Sequence, residues 1–82
     1  MATIPEGPLG LPDRIRAYRR LRGWSAPELA RRLRVSSPSL IAHWESGRNC
    51  PTMWMLVELA HVFRISLDDL LDVHFGEKHD YH

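Results

Sequence analysis

The chain has 82 residues, 44% of them hydrophobic, with 11 Lys and Arg against 10 Asp and Glu for a formal net charge of +1, which reads as one small folded domain with no room for a second. One cysteine, Cys50, excludes an internal disulfide framework and cysteine-based zinc ribbons. The longest apolar run, Met53 to Val57, is far below a membrane span, and the first ten residues lack the basic and apolar regions of a signal peptide, so a cytoplasmic protein is expected.

Pro5, Gly7, Pro8 and Gly10 make residues 1–10 a flexible arm. A first helix comes next, with Pro12 at the first helical position, Asp13 at the positive end of the dipole and Gly23 as the stop after Arg22. Ile15, Tyr18 and Leu21 or Arg22 form its apolar stripe, with Arg16, Arg19, Arg20 and Arg22 around it. Ser25-Ala26-Pro27-Glu28 is a capping box, in which the Ser hydroxyl accepts from a first-turn N–H and Glu28 reaches back to the cap. It opens a short second helix with Leu29, Ala30 and Leu33 inward and Arg31, Arg32 and Arg34 outward.

A third helix starts after Val35, with Ser37 as N-cap and Pro38 at the first helical position, and Gly47 ends it. Ile41 and Trp44 lie on its buried face, while Ser39, Leu40, Ala42 and His43 make the other face small and uncharged. Pro51-Thr52 opens a fourth helix to about Phe63, striped by Met53, Leu56, Leu59, Ala60 and Phe63. Ser66-Leu67-Asp68-Asp69 caps a short fifth helix containing Leu67, Leu70 and Leu71. No stretch alternates with period two over strand length, so the fold class is all-α, a compact five-helix domain over residues 11–72. Residues 73–82 lose periodicity and form a C-terminal tail.

The small net charge conceals a polarity. Residues 1–50 hold nine arginines against four acidic residues, +5, whereas residues 51–82 hold two basic against six acidic residues, −4. Arginine is the better fork for phosphate and guanine, and a solvated helix surface is the competing reading of the same residues.

Two short helices joined by a tight turn, Ser25 to Leu33 and Ser37 to Glu45, form a helix-turn-helix pattern whose second helix fits a major groove. Gly23-Trp24-Ser25, Glu28-Leu29-Ala30, Leu33, Ser37, Ser39, Ile41 and Trp44-Glu45-Ser46-Gly47-Arg48 carry a resemblance that continues through Pro51, Leu56, Leu59-Ala60, Ile65-Ser66-Leu67 and Leu70-Leu71. On these residues the run from Arg14 to Leu71 resembles the phage repressor and Cro family of helix-turn-helix proteins, the XRE family. The resemblance implies a domain that binds double-stranded operator DNA, usually as a homodimer, and acts as a transcription regulator of repressor type.

By position, Pro38, Ser39, Leu40 and His43 are the implied base-reading residues, and Arg48 and Asn49 lie in the loop that grips phosphate. Ser25, at a helix N-terminus, and Arg16 and Arg20 are further phosphate candidates, with Arg22 beside them. Arg19 and Glu45 match a structural ion pair of the family. The sequence departs from the family in having Ala26 where a phosphate-binding Gln is common and Val35-Ser36 in a linker one residue longer. Its recognition face is also poor in Arg, Gln and Asn, which moves discrimination toward DNA shape, water or the arm.

Trp54, Val57 and His61 on the fourth helix, with Val73, Phe75 and Tyr81, are the expected dimer surface in the acidic half. The alternative class is a protein-interaction module such as an antitoxin, whose acidic half binds a partner protein. His74, His79 and His82 with Asp80 match no closed zinc spacing, and Cys50 before Pro51 is a space-filler, so no metal or cofactor is expected. The absence of a nucleophile elbow or a paired-carboxylate pattern makes an enzyme the least supported reading.

Overall fold

The computed structural model describes residues 10–71. Those residues form α1 (Leu11–Leu21), α2 (Ala26–Leu33), α3 (Pro38–Ser46), α4 (Met53–Phe63) and α5 (Leu67–Leu71), with no strand among them. The arm at residues 1–9 and the tail at 73–82, with Val73, Phe75 and Tyr81, lie outside the described residues. Gly10, assigned to the arm by composition, is the N-cap of α1, and its carbonyl accepts from the Arg14 N–H at 3.0 Å.

Side-chain caps set where the helices begin. Ser25 Oγ accepts from the Glu28 N–H, Ser37 Oγ from the Ser39 N–H and Thr52 Oγ1 from the Met55 N–H, each at 3.2 Å, and Ser66 Oγ accepts from the Asp69 N–H at 3.0 Å. Thr52→Ala is expected to cost about 1 kcal/mol, visible as a lower Tm in a circular-dichroism melt. α3 ends at Gly47, whose φ of +81° lies in the left-handed region that glycine enters without strain. α2 and α4 end differently, on Arg34 (φ 61°) and Arg64 (φ 63°), so two helices stop at left-handed arginines with no glycine to announce them.

The five helices bury Ile15, Tyr18, Leu29, Ala30, Leu33, Ile41, Trp44, Leu56, Leu59, Ala60, Phe63 and Leu70 in one cluster. Phe63 lies at its centre, fully buried, with its ring centroid 5.7 Å from Tyr18 and 6.0 Å from Trp24. α3 packs against both α1 and α2, which fixes the orientation of its outer face. α5 closes the core from the far side of α1 and against α4.

Four expectations need correction. Leu21 is exposed, because Ile15 and Tyr18 already fill the α1 stripe and the turn after it directs Leu21 outward. Met53 is 61% exposed, since it is the first residue of α4 and precedes the point where the helix meets the core at Leu56. Glu28 makes no bond back to the cap; its carboxylate accepts from Arg31 and from Arg32 Nε at 2.8 Å, charge-assisted bonds stronger than one to a neutral N–H. Arg22 is no phosphate candidate in this fold, because its guanidinium donates to the Phe63 carbonyl at the end of α4, with Nε at 3.1 Å.

Arg14 performs a parallel task that the sequence did not disclose. It is buried, with Nε donating to the Leu70 carbonyl at 3.0 Å and Nη2 to the Asp69 carbonyl. The last carbonyls of a helix lack partners within it and attract a cation, so Arg14 and Arg22 tie α1 and its adjoining turn to the ends of α5 and α4.

Candidate nucleic-acid interface

α2 and α3 meet through the turn Arg34-Val35-Ser36-Ser37. Ile41 and Trp44 anchor α3 in the core, which directs Ser39 and Ala42 outward and leaves Leu40 and His43 partly exposed. Val35, Ser36, Ser37, Ser39, Leu40 and His43 line an open depression of about 460 Å³ on this side. The structure therefore brings Ser39, Leu40 and His43 together on one surface, with Pro38 exposed at the start of the same helix. Val35 and Ser36 join them, two turn residues that periodicity could not single out because they belong to no helix.

One ion pair holds that surface in place. Arg19 Nε donates to Glu45 Oε2 at 2.6 Å and Nη2 to Oε1 at 2.9 Å, while Nη1 donates to the Trp24 carbonyl at 2.9 Å. This two-pronged geometry ties α1 to the last turn of α3 and to the α1–α2 turn. The hydrogen bond to Glu45 and its negative charge outweigh partial burial and hold the Arg19 guanidinium above its ordinary basicity. With its donors so engaged, Arg19 is a structural residue rather than a phosphate ligand.

The phosphate candidates divide by what already occupies them. Arg16 is paired with Asp13, whereas Arg20 and Arg48 are exposed and without an ion pair among the described residues. Arg34 shares that state, immediately before Val35. Beyond α3, the Arg48 and Asn49 N–H groups both donate to the His43 carbonyl, at 2.9 and 3.2 Å. Their backbone thus caps α3, and any phosphate grip by this loop rests on the two exposed side chains. At Ser25 the N-terminal site is narrower than expected, because Ser25 oxygens accept from the Glu28 and Leu29 N–H groups and Pro27 has none. Ala26 N–H and the Ser25 hydroxyl proton are the donors left there.

Glu28 is held below the usual carboxylate range, first by its hydrogen bond from Arg31 and then by the charges of Arg31 and Arg32. A carboxyl depressed in the folded state stabilises it above its unfolded pKa, and that contribution disappears as pH falls through the lowered value. Glu28→Gln is accordingly expected to flatten the acid side of the stability profile in a pH-resolved urea titration, by a small amount because the group is exposed to solvent.

Trp54, Val57 and His61 occupy one exposed face of α4, with Trp54 74% exposed. None of them lines the depression on α3. No helix of the described residues is long and apolar enough to cross a membrane.

A core-anchored helix with an uncharged outer face, set at a tight turn from a preceding helix, defines the helix-turn-helix class of DNA-binding domain. The family model described as helix-turn-helix matches residues 15–70, and the chain belongs to this family, that of the XRE-type DNA-binding proteins. Membership of this family makes it a DNA-binding domain of a transcription regulator. A comparison with curated proteins finds no matching relative.

Proposed function

We propose that the chain is a sequence-specific regulator, a repressor in its simplest form, that binds operator DNA as a homodimer in the cytoplasm. α3 enters the major groove, with Pro38, Ser39, Leu40 and His43 toward the base edges. Ser25, Arg20, Arg48 and Asn49 contact phosphate, and Arg16 does so after exchanging Asp13 for a phosphate oxygen. The observation that carries this reading is the uncharged, outward face of α3, locked to α1 by Arg19 and Glu45 in a domain of the matching family. In a homodimer, two such helices reach successive major grooves about 34 Å apart.

The roles separate by experiment. Arg48→Ala is expected to weaken binding to operator and random DNA alike and to lower the salt slope by about one unit per protomer. His43→Ala and Ser39→Ala are expected to lower the ratio between the two DNAs and leave the slope unchanged. Equal losses on both DNAs for His43→Ala would remove it from the base-reading set.

The exposed Trp54, Val57 and Met53 favour an association surface on α4, with His61 at its edge. In the homodimer reading this surface, extended by Val73, Phe75 and Tyr81, joins two copies. In the alternative reading an antitoxin-like chain uses it to hold a partner protein. Sedimentation of the purified chain distinguishes them: a dimer that Trp54→Ala dissociates supports the first, and a monomer at tens of micromolar supports the second.

A further inference from the structure

The depression between the α2–α3 turn and α3 has a composition that narrows what it can recognise. Its walls are mainly apolar, supplied by Val35 and Leu40, and each of these side chains packs against the core on one side while remaining partly open on the other. Around them stand Ser36, Ser37, Ser39 and His43. Ser37 Oγ already accepts the Ser39 N–H as the helix cap. No lining residue is Arg, Asn or Gln, the side chains that make two-pronged contacts to a base edge. Single hydrogen bonds from Ser39 or His43 add little discrimination among base pairs by themselves.

A major groove offers such a surface one apolar feature, the methyl group on C5 of a pyrimidine. Charge on either side fits this approach. Arg34 directly precedes Val35 and Arg48 comes directly after Gly47, and both are exposed with no ion pair among the described residues. They meet the charged backbone while the neutral depression faces the base edges.

We propose that the depression lined by Val35, Leu40 and His43 reads pyrimidine C5-methyl groups, so that the protein distinguishes thymine from uracil and accepts 5-methylcytosine as a source of the same contact. This inference rests on the DNA-reading role of α3 proposed above. Enclosing one methyl between Val35 and Leu40 corresponds to about a four-fold change in affinity.

The test begins by selecting the preferred site from random duplexes and measuring affinity for it and for random DNA at one salt concentration. Each thymine of the half-site is then replaced by deoxyuridine. In a parallel series each T·A pair is replaced by C·G, with and without methylation of that cytosine. About a four-fold loss with uracil at one or more positions, absent in Leu40→Ala, is the expected result. A gain of similar size on methylating the cytosine extends the contact to 5-methylcytosine, and a uracil loss without that gain assigns it to thymine alone. Indifference to uracil at every position, with preference for the selected site intact, overturns the methyl inference and leaves the DNA-reading role standing. Equal binding to selected and random DNA overturns both. The uracil series on the unaltered protein needs no variant to fold.

Discussion

Phe63→Ala is expected to destabilise the domain by about 3–5 kcal/mol, the range for truncating a fully buried aromatic residue. Phe63 is where three elements converge. Its ring meets Tyr18 of α1 and Trp24 of the α1–α2 turn, and it belongs to α4, whose last turn Arg22 also holds through the Phe63 carbonyl. A domain of this size is stable by only about 0.05–0.15 kcal/mol per residue, so the loss takes up most of its margin. Urea titration followed by circular dichroism checks this, and a loss under about 1 kcal/mol would show that Phe63 does not organise the core. Phe63→Leu, which keeps most of the apolar volume, is expected to cost considerably less.

Glu45→Ala carries the second large effect, about 3 kcal/mol. This is the low end of the range for breaking a buried pair, because Arg19 and Glu45 keep 14% and 9% side-chain exposure. The variant leaves a guanidinium held against the Trp24 carbonyl with its countercharge removed, in a position that water reaches poorly. The loss comes from the stranded charge, so replacing both residues with apolar ones of similar length, Arg19→Met with Glu45→Met, is expected to recover most of it. That recovery has a functional complement. The double variant retains stability without the two-pronged bond that orients α3, and should discriminate operator from random DNA less well than the parent at equal folded fraction.

Particular residues show what could be read from the chain and what could not. Helix starts were legible because Ser25, Ser37, Thr52 and Ser66 cap through short-range bonds that depend only on neighbours in sequence. The stop of α3 was legible for the same reason, since Gly47 adopts a conformation that favours glycine. The stops at Arg34 and Arg64 carried no such mark, because these arginines are held in left-handed geometry where the next residues, Val35 and Ile65, pack against the core. Most of the core was evident from helical spacing, and Met53 and Leu21 departed from it at helix ends, where periodicity does not say how far the buried face extends. Arg14 and Arg22 looked like members of a basic shoulder, yet their partners are carbonyls more than forty positions away in sequence. Arg19 and Glu45 were recognisable only through the family resemblance, and the depression beside α3 required knowing how Val35 and Leu40 turn toward each other.

The +5 of the first fifty residues is also smaller at the surface than in the count. Arg14, Arg19 and Arg22 are engaged inside the fold, and Arg16, Arg31 and Arg32 are paired with carboxylates. Arg20, Arg34 and Arg48 remain exposed without such partners among the described residues of that half. A few arginines close to an uncharged reading surface give modest affinity for DNA at large and leave room for discrimination by α3.

The central claim is that α3 reads sequence while a small set of arginines supplies the electrostatic hold. Titration of binding against salt concentration, with the selected site and a random duplex side by side, tests it most directly. The account predicts a linear fall of log affinity with log salt on both DNAs, with slopes of a few units, and a preference for the selected site that persists across the series. Binding that is insensitive to salt, or equal on the two DNAs at every salt concentration, would contradict it.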